Sequence, residues 1–300
     1  MILADTMVNL LASVGIAATR TQSLLGVTGI VLMPLCLMKN LSSLAPFSLV
    51  GIIGMLYTTF AMAMRYFGGA YATGGKYLAT ALTPPAFGTT GAAGALSAKS
   101  LILTCMLSNA YIAHFSAPKF LSELKDNTMS RFHQVIAWSF GASILLYSII
   151  TALGFLTFGA ASNGLILNNY STNDLLMSMS RIAVAISVTG SYPLLFMGTR
   201  DGLLDLFKVA REKRDNLFNK VTLGVLGITT LCAAKLTDLG LVASVGGATF
   251  GTALVFIYPA VMFLKTQKGK STIETKLCKL IGVLGVVMGA IGTKLALQDI

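Results

Sequence analysis

Within "SNAYIAHFSAPKFLSEL", residues 108–124, His114, Ser116 and Pro118 follow directly on the apolar run "LILTCML". An imidazole with an unperturbed pKa of about 6.5 can relay a proton, and it can equally anchor neighbouring backbone by hydrogen bonds. Pro118 removes a backbone donor and disfavours helix at Ala117. The stretch therefore reads as a helix that breaks at "SNAYIAHF" and resumes as "APKFLSEL". Broken backbone at membrane depth survives only where protein or water satisfies the freed groups. The bland alternative is a proline kink with His114 bonded to an adjacent helix. Two more ionisable residues fall in apolar stretches, Asp5 (sharing a helix face with Asn9 at i, i+4) and Arg181. A mid-bilayer charge costs about 2.5–3.5 kcal/mol on insertion scales, so each needs a reason. For Asp5 that reason is an interfacial position near the chain start. For Arg181 it is snorkelling from the outer end of its helix.

The elements that would hold these groups follow from composition. Of 300 residues, 55% are hydrophobic and 11% charged, with a mean hydropathy of +0.77. Soluble domains carry about 25% charged residues, so the fold class is an all-α polytopic membrane protein. A span needs about 20 apolar residues. That rule gives about nine transmembrane helices, near 2–18, 22–38, 44–66, 98–118, 132–158, 176–199, 219–237, 240–265 and 279–297. Between the third and fourth, residues 67–97 read as a flexible outer or lumenal loop rich in Gly, Ala, Thr and Pro. Residues 200–218, which include "REKRD", read as a cytosolic loop. Alternating the spans puts most of the 22 lysines and arginines on that second side, as the positive-inside bias requires. The sequon Asn169-Tyr170-Ser171 then falls outside the cytosol, where glycosylation is expected to be available to it.

Several function classes drop out. The net charge of +11 lies in short loops, which argues against nucleic acid as a partner. With His114 and His133 the only histidines, no paired intramembrane aspartates and no metal-spaced cluster, neither an enzyme nor a metal site is expected. Cys36, Cys105, Cys232 and Cys278 lie in or at the edge of apolar segments and read as small buried hydrophobes. Gly247, Gly251, Gly282, Gly285, Gly289 and Gly292 read as small-residue faces that let helices approach closely.

Four segments carry a resemblance. "AYIAHFSAPKFLSELKD" resembles the broken helix of the amino acid/auxin permease family, and "SRIAVAISVTGSYPLLFMGTRDGLLDL" is similar to its eighth helix. "VLMPLCLMKNLSSLAPFS" is similar to the segment joining the fourth and fifth helices, and "VASVGGATFGTALVFIYPAVMFL" to the tenth. The order matches over nearly all 300 residues, giving one transmembrane transporter domain over 1–300. Aligned so, Met1 falls within the family's third helix. The sequence reads either as N-terminally incomplete or as lacking the half-site that the first, unwound helix supplies.

The resemblance implies a partial leucine-transporter-like, inverted-repeat fold and secondary transport of an L-amino acid by alternating access, with H⁺ or Na⁺ as the coupling ion and no organic cofactor. Asn109, Tyr111, His114 and Ser116, around the break, are the implied substrate contacts, with packed polar groups of a helix the equal reading for Asn109, Tyr111 and Ser116. Thr189, with the carbonyl of Ile186 one turn earlier, is the implied cation site; a threonine bonded to its own i−4 carbonyl is the competing reading. An amino acid sensor signalling to a cytosolic partner, or a non-functional fragment, is the other possibility for the whole chain. The expected partners are an amino acid and the bilayer of a plasma or vacuolar/lysosomal membrane, with the oligomeric state left open.

Overall fold

The computed structural model describes residues 1–38, 46–88, 100–113, 117–267 and 272–298. Among them the regular elements are helices: α1 (Ile2–Ser13), α2 (Arg20–Leu37), α3 (Pro46–Phe67), α4 (Ser100–Ala110), α5 (Ala117–Glu123), α6 (Met129–Phe158), α7 (Leu175–Leu206), α8 (Arg211–Lys235), α9 (Leu239–Thr266) and α10 (Ile273–Gln298). Seven of these (α2, α3 and α6 to α10) are long and apolar enough to cross a bilayer, while α1 and α4 are apolar but shorter. Each expected span thus has an apolar helix, and the protein is an all-α polytopic membrane protein.

Local chemistry sets the ends. α1 stops at Ser13 because Gly15 takes a φ of +81°, open to glycine at no steric cost. Ile16 N–H then donates to the Leu11 carbonyl at 2.9 Å and Gly15 N–H to Ala12 at 3.1 Å, a Schellman closure. α2 starts from a capping box in which the Thr19 hydroxyl accepts from Gln22 N–H and the Gln22 side chain accepts from Thr19 N–H. Asp174 and Asp238 cap α7 and α9. Two helices widen into π-turns just ahead of a proline: α2 over Val27–Leu32 before Pro34, and α9 over Ala253–Ile257 before Pro259. A proline cannot donate to the i−4 carbonyl and crowds it, so the bonds shift to longer range.

The chain divides into two compact units, one of residues 1–88 and 144–237, the other of 89–143 and 238–300. In the first, α3 lies against α7 through glycines. A Cβ at Gly51 would stand 2.6 Å from Ser187 Oγ, and one at Gly54 2.9 Å from Ala183 Cβ. One buried cluster joins Ala61, Met62, Tyr71, Leu153, Phe158, Leu167, Tyr170 and Met177; another joins Leu3, Val27, Leu32, Cys36, Ala185, Phe196 and Leu226. Between helices that lie in lipid such clusters stabilise through close packing, since the acyl chains are as apolar as the side chains themselves. In the second unit, α4, α9 and α10 meet on the expected small-residue faces. A Cβ at Gly247 would come 2.6 Å from the Cys105 carbonyl oxygen, and one at Gly292 3.0 Å from Cys105 Sγ.

Two loop expectations are corrected. Residues 68–88 are not a loose tract: Tyr71 is buried against Phe158 and Tyr170, and Ala86 exchanges backbone bonds with Phe158 and Ala160. Residues 89–97 of that stretch lie outside the described residues. The region 200–218 is mostly helix, with only residues 207–210 between α7 and α8, because the charged stretch "REKRD" forms the first turns of α8.

Candidate functional site

In the second unit, α4 ends at Ala110, with Tyr111 N–H bonded to Leu107 and Ile112 N–H to Asn109 in a closing turn. Ile112 and Ala113 are non-helical, and helix resumes at Ala117. The interruption is therefore present, but Ala117, which Pro118 was expected to keep out of helix, is the first residue of α5, with the proline tolerated in its first turn. Asn109 sits exposed on the last turn, its backbone against Gly251 of α9, where an added Cβ would stand 3.1 Å from Asn109 Cβ. The Tyr111 ring stacks on Phe140 at 5.6 Å. His114 and Ser116 lie outside the described residues.

Thr189 and Ile186 lie one turn apart on α7, in the first unit. Most hydroxyls along these helices turn back on their own backbone. Thr58, Thr157, Thr199, Thr230 and Thr249 each donate to the carbonyl four residues earlier. Thr189 does not; among the described residues its hydroxyl has no hydrogen-bond partner. Its carbonyl also lacks the usual helical donor, because the residue four positions on is Pro193, inside α7. Thr189 therefore offers two oxygens that the helix leaves without their normal partners. Oxygen donors of this kind suit a hard cation.

The other polar groups of the first unit form knots. Arg20 donates from Nε to Asp5 Oδ1 at 2.7 Å and from Nη1 to the Ala233 carbonyl at 2.9 Å, fastening α1 and α2 to the C-terminus of α8. Asn9 donates to Asn168 at 2.9 Å, and these two amides with Asp5, Arg20, Val8 and Leu82 line a cavity of about 260 Å³. Asp5 thus has a partner of opposite charge, a firmer reason than interfacial position alone.

A larger knot lies where α3 ends and α7 begins. Arg65 grips Asp174 with two parallel bonds, Nε to Oδ2 at 2.8 Å and Nη2 to Oδ1 at 2.7 Å. Asp174 is fully buried, caps α7 through Leu176 N–H, and accepts the Tyr71 hydroxyl at 3.0 Å. Burial, with the Asp174 charge beside it, pushes the Tyr71 phenol well above its ordinary range, so it remains a neutral donor. Arg181 is also fully buried, and its guanidinium donates to the carbonyls of Leu167, Tyr170 and Ser171. It does not snorkel, because those three acceptors lie within reach inside the protein.

The sequon is corrected in the same way. Asn169 is fully buried, its amide donating to the Ala161 carbonyl at 2.7 Å and accepting from Asn163 N–H at 2.9 Å. A glycan has no room there in the folded chain. Sequence reasoning missed this knot as a unit, although an aspartate directly before "LLMSM" is an N-cap signal.

Comparison with known proteins bears on both units. A family model described as "Transmembrane amino acid transporter protein" matches residues 1–295. Similar curated proteins include "Putative sodium-coupled neutral amino acid transporter 11" of Danio rerio, 27% identical over 199 residues, which are 65% of this chain and 44% of that protein. The Homo sapiens protein of the same name is 27% identical over 186 residues, 61% of this chain and 45% of that protein. That of Mus musculus is 27% identical over 187 residues, 61% and 41%. The matched stretch thus spans less than half the length of these relatives. Given the family match over almost its whole length, the chain belongs to the transmembrane amino acid transporter protein family.

Proposed function

We propose that the protein is a secondary active transporter that moves neutral L-amino acids across a membrane by alternating access, coupled to Na⁺. The observation that carries the coupling is Thr189, whose hydroxyl and Pro193-freed carbonyl are, among the described residues, both without their normal helical partners. With the Ile186 carbonyl one turn away, α7 supplies the oxygen ligands of the coupling ion. The printed names of the similar proteins, sodium-coupled neutral amino acid transporters, support the ion and the substrate class. The interrupted helix between Ala110 and Ala117 supports a substrate site at the break, since unwound backbone offers amides and carbonyls to a carboxylate and an ammonium. Asn109 and Tyr111 are the substrate contacts in this reading, and His114 and Ser116 complete them. The membrane is a plasma or vacuolar/lysosomal one. The face carrying residues 67–97 lies outside or in the lumen, with 200–218 in the cytosol.

The test is uptake of a panel of labelled amino acids by the full-length protein in proteoliposomes. An inward Na⁺ gradient is expected to drive uptake of a small neutral amino acid, and N-methylglucamine replacement to abolish it. Uptake that follows a pH gradient and ignores Na⁺ would reassign the ion. No gradient-driven uptake of any amino acid would overturn the transport reading.

A further inference from the structure

Beside the Arg65–Asp174 pair lies a cavity of about 510 Å³, whose lining includes Arg65, Tyr66, Ala72, Thr73, Pro84, Pro85 and Phe87. That volume is in the ordinary range for small-ligand sites, about 300–1,000 Å³. Apart from Arg65, Thr73 and Thr157 its walls are apolar or aromatic, and they are fixed. Ala86 N–H donates to the Phe158 carbonyl at 3.0 Å, and Ala160 N–H donates to the Ala86 carbonyl at 2.7 Å. These bonds pin the 84–87 segment to the end of α6. Gly159, with a φ of +61°, lets that segment approach, since a Cβ there would strike the Ala86 carbonyl. Phe87, which lines the cavity, is 67% exposed.

The charge around the cavity is unbalanced. Asp174 engages Nε and Nη2 of Arg65 and the Tyr77 ring lies 5.0 Å from the guanidinium carbon, while among the described residues Nη1 has no hydrogen-bond partner. Arg181, buried within the same knot, adds a second guanidinium bonded only to backbone carbonyls. Among the described residues the knot thus holds two guanidiniums and one carboxylate, and of these three groups only Arg65 lines the cavity. Among the described residues, the lining contains no acidic side chain that would receive an ammonium group.

We propose that this cavity is a second ligand site, for a small carboxylate with an apolar or aromatic body and no amino group. The carboxylate meets the open edge of the Arg65 guanidinium, and the ring packs among Tyr66, Pro84, Pro85 and Phe87. Such a ligand differs from the zwitterion of the transport reading and does not depend on it.

The experiment is ligand-observed fluorine NMR with 4-fluorophenylacetate and the full-length protein in nanodiscs, with empty nanodiscs as the partition control. Saturable binding is expected, displaced by phenylacetate and not by benzyl alcohol, inorganic phosphate or phenylalanine. Ala72→Trp and Thr73→Trp, both at exposed positions lining the cavity, are each expected to weaken binding at least about tenfold while the protein stays monodisperse and melts as the parent does. Binding no greater than to empty nanodiscs would overturn the proposal. So would binding unaltered in both variants. Equal competition by benzyl alcohol or phosphate would reduce the cavity to a greasy or an anionic surface, and displacement by phenylalanine would place the probe in a zwitterion site; each result contradicts the assignment.

Discussion

Arg65 and Asp174, 109 residues apart in sequence, are joined by two parallel hydrogen bonds of 2.8 and 2.7 Å, with the carboxylate wholly buried. Removing the cation alone leaves a buried charge uncompensated, which costs about 3–5 kcal/mol. Arg65→Met is therefore expected to lower the thermal stability of the detergent-solubilised protein sharply. Adding Asp174→Asn should recover much of the loss, because the amide still caps α7 without carrying a charge. A double variant no more stable than Arg65→Met would contradict this account.

Arg181 supports three carbonyls at once. Arg181→Met leaves those of Leu167, Tyr170 and Ser171 unpaired, and hydrogen bonds to charged groups are worth about 1.5–3 kcal/mol each. Relief of the buried charge offsets part of this, so a net loss of about 2–4 kcal/mol is expected. Limited proteolysis should report faster cleavage between residues 159 and 174. A cleavage rate equal to that of the parent protein would argue for a side chain that merely reaches the interface.

The burial of Asn169 makes a prediction about modification. Endoglycosidase treatment of the folded, monodisperse protein from a glycosylating host should leave its gel mobility unchanged. A shift abolished by Asn169→Gln would contradict the buried amide.

Glycines in the second unit separate packing from propensity. Gly247→Ala places a Cβ against the Cys105 carbonyl and is expected to destabilise by about 1–3 kcal/mol through overpacking. Gly141→Ala, with nothing within 4 Å of the new Cβ, should be neutral or stabilising by about 0.5–1 kcal/mol, since it only improves helix propensity. Paired thermal melts decide between them.

Much of this was legible in the sequence. Apolar length gave the helices, and Pro118 with its polar neighbours located the interruption after Ala110. The small-residue faces of α9 and α10 pack as their spacing implied. What was hidden depends on distant partners. Hydropathy treats Arg181 as a charge needing an exit, and nothing local reveals that a turn ending at Ser171 offers it three carbonyls. The Gly- and Ala-rich composition of 68–88 suggested looseness, yet Tyr71 and Tyr77 are aromatic anchors, stacked on one another at 5.8 Å. Regarding 200–218 as loop mistook charge for absence of helix, although Arg, Glu and Lys are good helix formers. At Thr189 the sequence supplied the residue type; the free hydroxyl became visible only against the back-bonded threonines around it.

The most direct test of the central claim is the Na⁺ activation curve of amino acid uptake by the full-length protein in proteoliposomes, compared for the parent, Thr189→Ser and Thr189→Val. If the Thr189 hydroxyl is a ligand of the coupling ion, the serine variant should keep a near-parental curve, while the valine variant needs at least about tenfold more Na⁺ for half-maximal uptake, the loss of one ligand worth about 1.4 kcal/mol. A valine variant whose Na⁺ dependence matches the parent's would contradict the account.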